Sequence, residues 1–265
     1  MSNLNLPNPN EFKDFKLDFN AKVKFESTKP KYDLEKIYQT MKANTVPKGF
    51  ISQLLDVEVL NSFDNTQEVL KRCILFDKIN NSVAIAIKED EKIKAIAVHK
   101  SKDKEGNAVK WLTLGSKSYI PFKIRENAKV ILLLVGMKEF FLMELLEHLD
   151  YICPQSDSIV KGLNRNEQWV HKIRPKLENK LICYINENDE SSRELIHPLK
   201  EEHPNILNID INDFYLFHII GAGNGGTDTE LPRGFDFVDL LNMFKKDVSS
   251  IFSSLKEYIQ MEVSK

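Results

Sequence analysis

Three acidic side chains follow an apolar run near the middle of the chain, where the sequence reads KLICYINENDESSR. Glu187, Asp189 and Glu190 come just after LICYI, a run that is typical of a buried strand. Carboxylates one residue apart at a strand end can share a hard cation such as Mg²⁺, which takes one or two protein carboxylates and keeps several waters. The same acids also suit the first turn of a helix, where they complement the helix dipole. Spacing alone leaves both interpretations open.

Two further stretches also place a glycine and an acidic residue beside an apolar or amphipathic run. Upstream, KVILLLVGMKEFF places Gly136 after an apolar run and Glu139 three residues later. Downstream, ELPRGFDFVDLL contains Gly234 and Asp236 ahead of an amphipathic segment. In a parallel α/β sheet, functional groups gather at the carboxyl ends of the strands. The three stretches are therefore expected to meet at one edge of a sheet.

In this order the stretches resemble the motifs of Toprim domains found in phage-type and plasmid-type bacterial DNA primases. The central Toprim motif is written D-x-D-x-x-G-R, and Glu187 and Asp189 fall on its two acids. Ser192 stands at its Gly and Arg193 matches its Arg. The resemblance covers roughly residues 112 to 245 and implies that the acids of this motif hold Mg²⁺.

The outer two motifs match the family in part. Gly136 matches the Gly of the first motif, with Glu139 in place of an Asp, but Val135 stands where the family has a Glu. Asp236 matches the acid of the third motif, and Phe235 replaces its Lys. The resemblance thus implies a set of metal ligands: Glu187, Asp189 and Asp236.

The departure at Val135 bears on activity. The resemblance implies catalytic roles for Glu139, Glu187 and Asp189, and the missing family Glu is thought to act as an acid or base at the phosphoryl centre. Val135 cannot transfer a proton. Glu139 lies four residues further on, about 6 Å along a helix, so replacing the missing group would need a different backbone path. We therefore expect an inactive or altered site rather than a working polymerase.

A basic stretch with one aromatic residue lies between the first and second motifs. It could contact a nucleic-acid backbone while the aromatic ring stacks on a base. Alternatively it is the solvated face of a helix, and the sequence favours neither interpretation. The predicted contact residues are Lys161, Arg165, Trp169, Lys172 and Arg174.

The elements that would position these residues change in type along the chain. Short runs rich in Val and Ile between residues 72 and 114 predict strands and turns. From residue 129 onward, apolar runs alternate with amphipathic stretches, which predicts a mostly parallel sheet of about four strands flanked by helices. The fold class is therefore α/β and Toprim-like, preceded by a smaller α+β N-terminal region.

Four segments follow from these changes of pattern. Residues 1–70 are predicted to form an N-terminal arm and helices, and residues 71–125 a small β-rich region. Residues 126–245 are predicted to form the Toprim-like domain, and residues 246–265 a C-terminal helix. GAGNGG at 221–226 fits the GxGxxG pattern, but Pro232 and Gly234 exclude the helix that a dinucleotide site requires, so we expect a loop there.

Composition excludes several broad classes. The chain of 265 residues has 37 Lys and Arg against 39 Asp and Glu, so nucleic-acid binding needs a local patch rather than a basic surface throughout. Three scattered cysteines do not form a disulfide framework or a zinc site, and they suit the cytoplasm. No apolar run approaches the roughly 18 residues of a membrane span, so no membrane partner is expected.

Together these observations predict a cytoplasmic, primase-like Toprim protein that acts in DNA replication or processing, as in a mobile element. Single-stranded DNA or another nucleic acid is the expected partner, with replication proteins as further partners and Mg²⁺ as the cofactor. If the site is active, the protein is a Mg²⁺-dependent nucleotidyltransferase. Two alternatives stay open: a non-catalytic adaptor that binds nucleic acid or a replication partner, and a Toprim-type nuclease.

Overall fold

The computed structural model describes residues 33–100, 111–221 and 231–264, which all belong to one structural unit, residues 32–265. Residues 1–32 of the predicted N-terminal arm lie outside the described residues. So does the glycine-rich stretch after Gly221, the residue at which a helix ends. Among the described helices, none is both long and apolar enough to cross a membrane.

Within the described residues, four strands of the N-terminal half form an antiparallel sheet. They are Ile74–Asp77 (β1), Ser82–Glu89 (β2), Lys92–His99 (β3) and Trp111–Gly115 (β4). They pair in the order β1-β2-β3-β4, each antiparallel to its neighbour. The described helices before this sheet are Leu34–Lys42 (α1), Lys48–Ile51 (α2), Val57–Leu60 (α3) and Thr66–Cys73 (α4). The strands predicted from the Val-rich and Ile-rich runs are therefore present.

A second sheet of five strands follows in the described part of the chain. Its strands are Phe122–Lys123 (β5), Val130–Leu133 (β6), Tyr151–Ile152 (β7), Leu181–Ile185 (β8) and Ile206–Ile209 (β9). They pair in the order β5-β7-β6-β8-β9. Strands β6 to β9 are parallel to their neighbours, and only the edge strand β5 is antiparallel, to β7. The protein is thus mixed α/β, and one of its two sheets is mostly parallel.

Helical segments connect and follow the strands of the second sheet. After β6 comes Met137–Leu145 (α5), and after β7 come Asp157–Val160 (α6) and three short 3₁₀ or π segments up to Lys176. Glu190–Glu194 (α7) and Ile196–Glu202 (α8) separate β8 from β9. The described helices after β9 are Ile211–Gly221 (α9), Phe237–Met243 (α10) and Val248–Val263 (α11).

The central strands of the second sheet are buried on both faces. Successive side chains of a strand point to opposite faces, so alternate residues of β6 join different hydrophobic clusters. Leu132 packs in a large cluster that also contains residues of the first sheet and of α11, such as Ile85 and Leu255. Ile131 and Leu133 pack in a smaller cluster on the other face. This two-sided burial explains why the sequence of β6 is a continuous apolar run.

The large cluster joins segments that the sequence suggested as separate regions. Ile85 of the β-rich region and Ile251 of the C-terminal helix are both fully buried within it. The predicted boundary between residues 125 and 126 lies just after β5, a strand of the second sheet. The first and second sheets therefore share one core rather than meeting across a linker.

Candidate functional site

The three sequence motifs meet at the carboxyl edge of the second sheet. A cavity of about 10 Å³ lies there, and its lining includes Val135, Glu139, Glu187 and Asp236. Val135 follows β6, Glu187 follows β8, and Asp236 begins α10. The structure therefore brings these four predicted residues together, in a space that holds at most about one water molecule. Asp189 is not part of the lining.

Glu139 reaches the strand end by folding its side chain back over the first turn of α5. Gly136, the N-cap of that helix, has φ 134°, and a Cβ atom there would collide with the Glu139 carboxylate. The missing side chain at Gly136 therefore makes room for the carboxyl group. The Glu139 carboxyl group therefore shares a cavity with Val135, the residue at the position of the missing family Glu.

Glu139 and Asp236 form a hydrogen-bonded carboxyl pair. The Glu139 side chain is only 6% exposed, and burial, followed by the charge of Asp236, holds its pKa well above the ordinary value. Burial and the charge of Asp239 also raise the pKa of Asp236, whereas its hydrogen bond with Glu139 lowers that pKa. Glu139 thus carries the proton of the pair, and its O–H group donates a hydrogen bond to the carboxylate of Asp236. Two like charges this close cannot both ionise in a buried site.

Asp236 is also fixed by the helix that it begins. Its Oδ1 accepts from the backbone N–H of Asp239 at 2.7 Å, and Asp239 Oδ2 accepts from the backbone N–H of Asp236 at 3.3 Å. This reciprocal pair is a capping box, which satisfies two donors at the start of α10. The Asp236 side chain therefore both caps α10 and accepts the hydrogen bond from Glu139.

Asn188, which sequence reasoning missed, holds the third motif against the second. Its Nδ2 donates to the carbonyl oxygens of Leu231 at 2.5 Å and Pro232 at 3.1 Å. Its backbone N–H donates to Phe235 O at 2.8 Å, and its carbonyl accepts from Gly234 N–H at 2.9 Å. Asn188 is the variable middle residue of the D-x-D pattern, so the motif contains no signal for this role.

The remaining residues of the second motif stabilise its turn. Ser192, at the position of the family Gly, accepts with Oγ from Glu187 N–H at 2.9 Å and shares a 2.7 Å hydrogen bond with Tyr184. Arg193 donates to Asn188 Oδ1 at 2.6 Å and to Asp210 Oδ2 at 3.0 Å. Both residues therefore position the backbone that carries Glu187.

Asp189 belongs to a second, more open group of acids. It caps α7, and its Oδ1 accepts from Ser192 N–H at 2.7 Å and from Ser191 Oγ at 3.0 Å. Asp157, at the start of α6, lies close by: burial, then the charge of Asp189, raises the pKa of Asp157. Sequence reasoning missed Asp157, although its place after β7 was a signal of the same kind as that of Asp189 after β8.

The predicted Mg²⁺ ligands do not converge as a set. In the described part of the chain, no group of three or more His, Cys, Asp or Glu side chains is placed to hold a metal ion. Asp236 faces the protonated Glu139, whereas Asp189 caps a helix. The unpartnered Nδ2 of buried Asn186, beside the cavity, is a hydrogen-bond donor and cannot bind a cation. The buried pair therefore does not fit Mg²⁺, and Asp157 with Asp189 offers the one or two carboxylates that Mg²⁺ requires.

A groove of about 980 Å³ is lined by the two neighbours of Asp157, Ser156 and Ser158. Met137 of α5, the residue after Gly136, also lines it. Lys117 and Arg165 also line the groove, and both side chains are exposed. Hydroxyl and amide side chains in the remaining lining suit a ligand with phosphate and hydroxyl groups. Glu167 and the apolar Trp111, Leu112 and Ile159 line the groove as well.

The predicted nucleic-acid stretch divides into three groups. Arg165 lines the groove, and Lys161 is exposed. Lys172 is paired with Glu89 at 3.1 Å, and Arg174 with Glu202 at 3.6 Å. The prediction for Trp169 is wrong: its ring is 0% exposed in the smaller core cluster, and its indole N–H donates to Glu202. Because the ring is buried, a base cannot stack on it, and the predicted stacking role is withdrawn.

Comparison with known proteins adds little to this geometry. No protein-family model matches the chain, and no curated protein matches it. The primase fragment of the bacteriophage T7 primase-helicase protein is among the solved structures similar to it, at 14% identity and a TM-score of 0.37. The match covers 57% of this chain and 62% of that one, which is less than two thirds of its length. At this TM-score the likeness supports no inference about function, and the Toprim assignment stays a prediction.

Proposed function

We propose that this is a primase-like protein that binds nucleic acid in DNA replication or processing, with weak or absent Mg²⁺-dependent catalysis. The observation that carries the proposal is the meeting of three Toprim-like motifs at one sheet edge. Val135, Glu187 and Asp236 lie far apart in the sequence but line one cavity. Their order along the chain would not by itself require this arrangement.

Weak catalysis follows from the state of the carboxyl groups. Phosphoryl transfer needs a group that can exchange a proton and ligands that neutralise the developing charge. Glu139 lies beside the position of the missing acid, but it is buried and its proton is engaged by Asp236. Mg²⁺, which the resemblance implies, would be held by Asp189 together with Glu187 or Asp157 and would supply charge stabilisation. The proton-exchanging group is the missing part.

Nucleic-acid binding is supported by the groove that Ser156 and Ser158 line. Lys117 and Arg165 lie in this groove, together with one acid, Glu167. Cations in a groove attract a phosphate backbone, and each phosphate contact makes the affinity depend on salt. A strand lying there would pass the carboxyl edge of the second sheet. This proposal replaces the contact set predicted from sequence, of which only Arg165 lines the groove.

The test combines binding with primer synthesis. We expect a labelled DNA oligonucleotide to bind the full chain, with an affinity that falls as salt rises. Replacing both Lys117 and Arg165 by Ala should lower the salt slope by roughly 0.7 for each lost phosphate contact. Arg174→Ala is the matched control, because this Arg is paired with Glu202 and does not line the groove. Binding that is independent of salt, or equal in all variants, would contradict the groove.

Primer synthesis on single-stranded DNA with Mg²⁺ or Mn²⁺ tests the catalytic half. We expect little product from the unaltered protein and more from Val135→Glu, since this variant returns an acid to the position where the family has one. The expected gain is up to about 10²-fold, the lower end of a general acid–base contribution. Robust synthesis by the unaltered protein would show that Glu139 already performs the role of the missing acid.

The non-catalytic adaptor is the second candidate, and the closed Glu139–Asp236 pair favours it. An adaptor would bind single-stranded DNA in the groove but would need neither metal nor proton transfer. If Val135→Glu gives no product while DNA binding persists without Mg²⁺, the adaptor is the better description.

A further inference from the structure

A groove lined by apolar and acidic side chains lies between α9 and α11, on elements that the proposed function does not use. The two helices pack through aromatic contacts, with Tyr258 edge-on to Phe217 at 5.2 Å and to Phe214 at 5.7 Å. Outside this contact, a groove of about 510 Å³ runs between the helices. It therefore has room for a few apolar side chains of a ligand.

Several apolar side chains around this groove are exposed to solvent. Leu216 is 42% exposed, Ile220 71% and Met261 38%, and all three line the groove. Val263, at the end of α11, is 60% exposed. These are four of the eight large hydrophobic side chains that are exposed in the described part of the chain. Such clustering marks an interaction surface, whereas single exposed apolar residues do not.

The rim of the groove is acidic. Asp210, Asp213 and Glu262 line it, and no Lys, Arg or His among the described residues does so. Burial, then the charges of Glu262, Asp213 and Asp210, raises the pKa of Tyr258 on the groove floor to about 12. The three carboxylates therefore act on one spot, although Arg193 also binds Asp210. A ligand here meets an apolar floor within a negative rim.

We propose that the groove between α9 and α11 is the docking site for a basic amphipathic helix of a partner protein. Helices enter grooves of this kind through apolar residues at i, i+3, i+4 and i+7, and flanking Lys or Arg side chains would face the acidic rim. A second copy of this chain is a poor occupant, because a symmetric contact would oppose Asp213 and Glu262 to the same acids. The inference is independent of the proposed function.

A model peptide can test the chemistry without a known partner. We suggest a fluorescein-labelled helix with Leu on one face and Lys on both flanks, and a second peptide with Glu in place of every Lys. Fluorescence anisotropy with the full chain should show the Lys peptide binding at least about tenfold more tightly than the Glu peptide. The double variant Leu216→Ser/Ile220→Ser should weaken the Lys peptide about tenfold.

The matched control is Met243→Ser, an exposed apolar residue of α10 that does not line the groove. It should bind the Lys peptide as the unaltered chain does. Circular dichroism of each variant confirms folding, and little loss is expected because the replaced side chains are exposed. Failure of the Lys peptide to bind, equal binding of both peptides, or equal binding by the double variant would each overturn the proposal. Dimers that Ile220→Ser disperses in sedimentation would also overturn it, in favour of a second copy.

Discussion

Two groups of acids lie at the same edge of the second sheet, and water reaches them to different extents. Glu139 is 6% exposed and shares a proton with Asp236. Asp157 and Asp189 are both partly exposed, and the Ser191 hydroxyl lies within hydrogen-bond reach of each. Acids at equivalent strand ends thus differ in protonation, because burial decides whether both carboxyl groups of a pair can be ionised. A sequence motif specifies the acids, but the surrounding packing sets their protonation.

The largest expected effect comes from closing the space that the buried pair uses. Gly136→Ala places a Cβ where the Glu139 carboxylate lies and demands φ 134° of an Ala. We expect a loss of about 3 kcal/mol or more in the free energy of unfolding, measured by urea titration. Gly49→Ala is the control, because nothing lies within 4 Å of its added Cβ. A similar small effect at both glycines would show that Glu139 can leave the pair without cost.

The next largest effect is expected at Asn188, which holds the segment before Asp236. Asn188→Ala removes two hydrogen bonds to the segment before Asp236 and leaves those carbonyls without their donor. The expected destabilisation is about 2 to 3 kcal/mol, by the same titration. Exposed Asn61→Ala should change stability by less than about 0.5 kcal/mol. If Asn188→Ala were equally mild, the third motif would be held by other contacts.

The third prediction concerns pH. Because the folded state raises the pKa of Glu139, its contribution to stability is present at acid pH and is lost as pH rises through that raised value. Glu139→Gln keeps a donor for Asp236 but cannot ionise. The unaltered protein should therefore lose stability relative to this variant as pH rises above the ordinary range of a Glu carboxyl group, by up to about 1.4 kcal/mol per pH unit. Parallel stability curves would mean that Glu139 ionises as freely in the folded chain as in the unfolded one.

The smallest effect distinguishes the open acids from the closed pair by their response to Mg²⁺. Asp189→Asn should weaken Mg²⁺ binding severalfold in a calorimetric titration, whereas Asp236→Asn should leave it unchanged. Asn still caps a helix, so Asp189→Asn should cost less than about 1 kcal/mol of stability. A larger loss of Mg²⁺ binding in Asp236→Asn would reverse the comparison and restore Asp236 as a ligand.

The sequence predicted the elements better than their contacts. The runs that became β6 and β8 are continuous and apolar because both faces of those strands are buried, and this pattern can be recognised without a structure. The meeting of Glu139 with Asp236 depends on the rotamer of one side chain and on the turn held by Asn188. Neither property leaves a periodic signal, so neither could be predicted.

Trp169 illustrates a different limit. The sequence left two interpretations of the basic stretch around it open: a nucleic-acid contact in which the ring stacks on a base, and the solvated face of a helix. Leu163, Trp169, Ile173 and Leu177 are nonetheless all fully buried, or nearly so, in the smaller cluster. Short 3₁₀ and π segments, rather than one α-helix, bring them to the same side. The four-residue spacing of Trp169, Ile173 and Leu177 is compatible with a helix, but it does not show that this side of the segment is buried.

The pairing of β6 with β8 has a consequence for how the chain is made. Leu132 of β6 pairs with Cys183 of β8, so the ribosome must add many residues after β6 before β8 can pair with it. At roughly 5 to 20 residues per second, this leaves an apolar strand without its partner for a time on the order of seconds. Leu255 of α11 enters the large cluster later still. We expect the nascent chain to engage chaperones over this interval, and to aggregate in a translation system that lacks them.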